Sequence, residues 1–193
     1  MGDINHQERY RRTDSLFFFM LVCLVSIVLG NVVFHFALPN DVIISEHYLI
    51  EHFSFQFDKN QPVSQFLWKI ILFSRKDLFV VFLVSVSFWV AAQRSFLCLI
   101  FTCRSFHFGF CGAYIISSVA QFDTFLRGCF FWFLFFVRHI AILSVLLCFG
   151  EAILSYRRKV DFRSDLLYFF TICGEIALVI FLNTVYFFII SII

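Results

Sequence analysis

The chain has 193 residues, 61% of them hydrophobic and 15% charged, with 32 Phe, 2 Pro and a formal net charge of +2. A soluble domain of this length is about half apolar and about a quarter charged, so this chain has more apolar surface than one core can bury, and the excess must face lipid. The small net charge and the lack of a Lys/Arg stripe exclude a nucleic-acid footprint.

Met1–Asp14 is polar, with Arg9, Arg11 and Arg12 just before the first apolar run, Leu16–Leu38, which is 23 residues long and ends at Pro39. That run has no small-x-small exit and is long enough to span, so it reads as a retained helix rather than a cleaved leader. Pro39–Asp77, 39 residues, is the sizeable polar loop. Within it, Phe53-Ser-Phe55-Gln-Phe57 alternates at period two. Phe66, Leu67, Ile70 and Ile71, beside Trp68, recur at helical spacing and read either as a short helix on the membrane surface or as the lead-in to the next span.

Leu78–Ala120 is a 43-residue apolar block, about twice the ~20 residues needed to cross once. It divides best at Ala92-Gln93-Arg94-Ser95, giving a short second helix and a third; the alternative is a break near Thr102–Arg104, which would spend the buried arginine as a loop residue. Gly128–Gly150 is the fourth span, Glu151–Asp165 a charged connection, and Leu166–Ile190 the fifth span. The expected fold is all-α: a polytopic transmembrane bundle of about five spanning helices, one membrane domain over 1–193. Residues 1–14 are expected on the cytoplasmic side and 39–77 outside. That orientation places eight basic residues inside (Arg9, Arg11, Arg12, Arg94, Arg157, Arg158, Lys159, Arg163) and five outside (Lys59, Lys69, Arg75, Lys76, Arg127), the bias expected of short loops.

Candidate chemistry is thin. All seven Cys lie in apolar runs and none forms a C-x-x-C pair, which reads as small apolar helix residues. Glu46-His47-Tyr-Leu-Ile-Glu51-His52 invites a zinc reading, but its histidines are five apart. On a helix they would diverge by ~140°, whereas helical zinc motifs use i and i+4. His35, His107 and His139 in the apolar runs have no regular spacing. No G-x-S-x-G, Walker loop or paired-aspartate pattern occurs, and nothing assembles a nucleophile, a base and an orienter. No enzyme, cofactor or metal is expected.

The buried charges say more. A charged residue at mid-helix in lipid costs at least ~2.5–3.5 kcal/mol on insertion scales and is normally paired or functional. Arg104 lies nine residues into the third span from Ser95, and Glu175 nine into the fifth from Leu166, both ~13–14 Å deep. Equal depth on parallel helices predicts that they pair. With Arg138 and His139 on the fourth span they would form a polar core, either pinning helix register or marking a transport path. Ser26 and Gly30 on the first span, and Gly109, Gly112 and Ala113 on the third, form small-residue faces suited to close helix contact.

The region Phe88–Tyr114 resembles the stage II sporulation protein M family of endospore-forming bacteria. The third helix of that family carries a pattern like L-F-x-R-G-F-x-x-G-F, and Phe101, Arg104, Phe106, Gly109 and Phe110 match it, with Ser105 in place of the glycine. The resemblance implies a non-enzymatic protein of the bacterial cell membrane, active in engulfment during sporulation. It would anchor peptidoglycan hydrolases, a lytic transglycosylase and an amidase/endopeptidase, at the septal membrane, with loop 39–77 toward the wall. Membrane lipid is the other expected partner, and a homo-oligomer is possible on this reading. The competing expectations are a small permease or channel subunit that uses the buried charges, and an intramembrane enzyme.

Overall fold

The computed structural model describes residues 2–37, 63–118, 125–156 and 162–192, and all its regular structure is helical. Among the described residues five long helices follow one another: α1 (Gly2–Ala37), α2 (Val63–Val86), α3 (Gln93–Ser118), α4 (Phe125–Tyr156) and α5 (Phe162–Ile192). The fold is therefore an all-α bundle, as the composition requires. Among the described residues four stretches are long and apolar enough to cross a membrane: Ser15–Ala37, Gln93–Ser117, Gly128–Ser155 and Leu166–Tyr186. The chain is a multi-pass membrane protein.

Helix α2 differs from the expected second span. It starts at Val63, not Leu78, so residues 63–77 are helix and not loop. Lys69, Arg75, Lys76 and Asp77 put four charges into an otherwise apolar helix, and it is not among the four apolar stretches. The periodic residues Ile70 and Ile71 are thus the lead-in to a longer helix. The connection to α3 comes slightly before the expected break. A single 3₁₀ turn, Ser87–Trp89, is followed by extended Val90, and α3 begins at Gln93. Arg104 consequently sits well inside α3. Residues 38–62, with the Glu46–His52 histidines and the Phe53–Phe57 alternation, lie outside the described residues.

Helix α1 packs chiefly on α3, α2 on α5, and α4 touches each of the other four. Helices α1 and α3 run in the same direction, because Phe19 meets Phe101 near one end (ring centroids 5.3 Å apart) and Phe34 meets Tyr114 near the other (6.2 Å). This alignment follows from glycine. A Cβ on Gly30 would collide with the Phe106 carbonyl, and one on Gly109 with the backbone of Ile27. Only hydrogen fits at these two crossings, and close backbone approach is a main source of helix association in lipid. Gly112 takes no part, since a Cβ there would meet nothing; the thin face of α3 runs instead through Ser105, Gly109 and Ala113, all buried.

The main apolar core joins Phe19 (α1), Val81 and Val84 (α2), Leu97 and Phe101 (α3), Ile142, Leu146 and Phe149 (α4) and Val179 (α5). Tyr168 fastens the start of α5 to the end of α2, donating its hydroxyl to the Ser85 carbonyl at 2.8 Å and stacking on Phe88 at 4.8 Å. Most large apolar side chains on α1 and α5 point outward, among them Phe17, Leu24, Phe36, Phe170 and Phe181. In lipid that exposure carries no penalty, which accounts for the phenylalanine excess.

Candidate functional site: a buried ion cluster

Helix α2 turns Ile70, Ser74, Asp77, Val81 and Val84 toward the bundle. These are spaced by four, three, four and three residues, a helical stripe. Asp77 is the acid in that stripe, 1% exposed. One of its carboxylate oxygens accepts from Nη2 of Arg104 on α3. The other accepts from Nη2 of Arg138 on α4 at 2.7 Å and from Nδ2 of Asn183 on α5 at 3.1 Å. Arg138 also donates through Nε to Asn183 Oδ1 at 2.7 Å. Its guanidinium carbon lies 4.7 Å from the ring centroid of Phe73 and 5.0 Å from that of Tyr186.

Four helices therefore meet at one carboxylate. A group desolvated this fully is tolerable only when paired and hydrogen-bonded. Asp77 receives three donors, and charge-assisted bonds of this kind are the stronger class. The aromatic faces of Phe73 and Tyr186 add cation–π attraction to Arg138. The cluster holds two guanidiniums and one carboxylate, so it keeps one excess positive charge.

The expected pairing of Arg104 with Glu175 is corrected. Arg104 and Arg138 do come together, but around Asp77. The reason is the order of the helices: α3 packs on α1 and α4, while α5 packs on α2 and α4, so the third and fifth spans are not close neighbours. Glu175 lies eight residues from Asn183 on α5, about 12 Å along the helix, and its Oε2 is buried with no hydrogen-bond partner among the described residues. His139, though next to Arg138 in sequence, turns toward α3. Its Nδ1 donates to the Phe135 carbonyl at 2.9 Å, and its ring stacks on Phe108 at 5.1 Å. It makes no hydrogen bond to the cluster.

The family-like residues divide between two roles. Phe101, fully buried, packs edge-on against Phe19 and covers Gly150, where a Cβ would stand 2.8 Å from its ring. Phe106 and Gly109 lie at the α1–α3 crossings, and Phe110 meets Phe34 edge-on at 5.3 Å. Four of the five thus serve helix contact, and Arg104 serves the ion cluster. Among the described residues no group of three or more His, Cys, Asp or Glu is placed to hold a metal ion.

No protein-family model, curated protein or solved structure matches this chain.

Proposed function

We propose that this protein is a non-enzymatic membrane scaffold, and that it anchors peptidoglycan hydrolases at the septal membrane during engulfment in endospore formation. The observation that carries the scaffold reading is the closure of the ion cluster. Both Asp77 oxygens are engaged, and Arg138 is bonded to Asp77 and Asn183 and faced by two rings. A relay or transport path needs groups that exchange partners; these are arranged to hold α2, α3, α4 and α5 in register. The hydrolase class comes from the resemblance over Phe101, Arg104, Phe106, Gly109 and Phe110. The N-terminus faces the cytoplasm on this reading, supported by the basic asymmetry, which is eight inside against Lys59, Lys69 and Arg127 outside once Arg75 and Lys76 are placed in the middle of α2.

The test is made in a sporulating host lacking the protein, with fluorescent fusions to the lytic transglycosylase and the amidase/endopeptidase. Both hydrolases should remain able to cut purified wall material yet fail to concentrate at the septum. Normal septal localisation in the null strain would refute the scaffold reading.

A further inference from the structure

Helix α2 has a second face, pointing away from the bundle. Gln65, Trp68, Leu72, Arg75, Phe79 and Phe82 are all exposed. They are spaced by three, four, three, four and three residues, the repeat of a helix that packs along a partner helix in left-handed fashion. Trp68, Phe79 and Phe82 are each about three-fifths exposed, at 61%, 59% and 59%, and the rings of Phe79 and Phe82 stack at 6.5 Å. In the middle of this apolar seam stands Arg75, which has no ion-pair partner among the described residues.

Its depth makes that position costly in lipid alone. Arg75 precedes Asp77 by two residues, and Asp77 is bonded to Arg104. Arg104 lies eleven residues from Gln93 and thirteen from Ser117, the ends of its apolar stretch, about 16 and 20 Å from either end. A guanidinium at that level, flanked by Leu72 and Phe79, is far from headgroups, and charges at such depth normally face protein or a pathway.

We propose that this seam of α2 is the docking face for a transmembrane helix of another protein, one that carries a carboxylate at the level of Arg75. Charge selects this occupant over a second copy of the chain, because two-fold pairing along α2 would bring two copies of Arg75 together. The apolar positions give packing on both sides of the ion pair, and the single charge fixes register, as a lone polar residue does in a helical seam. The inference names a partner for the scaffold read above and rests on that reading only for what the partner does.

The experiment places a benzophenone amino acid at position Phe79 of the full chain in host membranes, followed by irradiation and mass spectrometry. The expected product is an adduct with one membrane protein, mapped to a spanning helix that contains Asp or Glu. Arg75→Glu should lower its yield about tenfold, Arg75→Gln should lower it less, and replacing the partner's acid by Arg should restore capture by Arg75→Glu. Arg75 is exposed, so both variants should melt like the parent protein; if Arg75→Glu does not, Arg75→Gln decides. Adducts confined to lipid, to a second copy or to residues 38–62 of the same chain would overturn the inference, as would an adduct indifferent to both variants. A captured helix from a protein with no role at the cell wall would keep the seam and overturn the hydrolase reading. Hydrolases recruited normally with no partner adduct on α2 would do the reverse.

Discussion

Asp77 on α2 and Arg138 on α4 meet at 2.7 Å in the interior of the bundle, and Arg104 shares the same carboxylate from α3. The cluster is unequal: losing the one acid strands two cations, whereas losing Arg104 leaves a balanced pair. Removing one partner of a buried ion pair typically costs ~3–5 kcal/mol. Asp77→Leu should therefore destabilise the purified protein by about that amount. Arg104→Leu should cost distinctly less, because Asp77, Arg138 and Asn183 remain bonded. Thermal unfolding in detergent gives the order. An Arg104→Leu penalty equal to that of Asp77→Leu would show that the two guanidiniums do not depend on one acid.

The separation of Glu175 from Arg104 gives a second test. Substitutions without shared partners add within about 0.3–0.5 kcal/mol, whereas contacting residues couple. Arg104→Leu and Glu175→Leu should add in unfolding measurements, while Asp77→Leu and Arg138→Leu should be strongly non-additive. Rescue of Arg104→Leu by Glu175→Leu would contradict the helix order described above.

The α1–α3 seam is expected to tell its glycines apart. Gly30→Ala and Gly109→Ala each press a methyl into a backbone carbonyl of the facing helix. The helices must separate, at a cost in the ~1–3 kcal/mol range of overpacking. Gly112→Ala meets open space and should be neutral, or stabilising by up to about 1 kcal/mol through helix propensity. Comparing the three melting curves checks the seam without reference to function.

At Tyr186 the ring and the hydroxyl should separate. The ring faces Arg138, whereas the hydroxyl is buried with no hydrogen-bond partner among the described residues. Tyr186→Phe keeps the ring and removes an unsatisfied polar atom, so it should be neutral or slightly stabilising. Tyr186→Leu should cost roughly 1–2 kcal/mol more, through lost cation–π attraction and packing. A Tyr186→Phe variant as unstable as Tyr186→Leu would mean that the hydroxyl has a partner after all.

The all-helical membrane fold was legible because apolar runs of spanning length have few other solutions. The crossing residues Gly30 and Gly109 were legible as small residues on helical faces. Asp77 was not, because it stands at the edge of the charged string Arg75-Lys76-Asp77 and reads as the end of a loop. Its signal was the stripe Ile70, Ser74, Asp77, Val81 and Val84, visible only if α2 is allowed to start well before the apolar block. Depth is the only sequence signal that pairs Glu175 with Arg104, and depth does not say which helices are neighbours. Asn183 carried no signal, since a single amide in a spanning helix points nowhere until its partners are known.

In the proposed scaffold the buried charges hold the bundle together and conduct nothing. Buried ion clusters replaced whole by apolar side chains are often neutral or even stabilising. The most direct measurement is septal localisation of the proposed hydrolase partners in strains carrying Asp77→Leu alone or Asp77→Leu, Arg104→Leu and Arg138→Leu together, with the folded level of each variant scored in parallel. Loss of folded protein and of localisation is expected in the single variant, and recovery of both in the triple variant. A triple variant that is folded and abundant at the membrane yet fails to localise the hydrolases would contradict the scaffold reading.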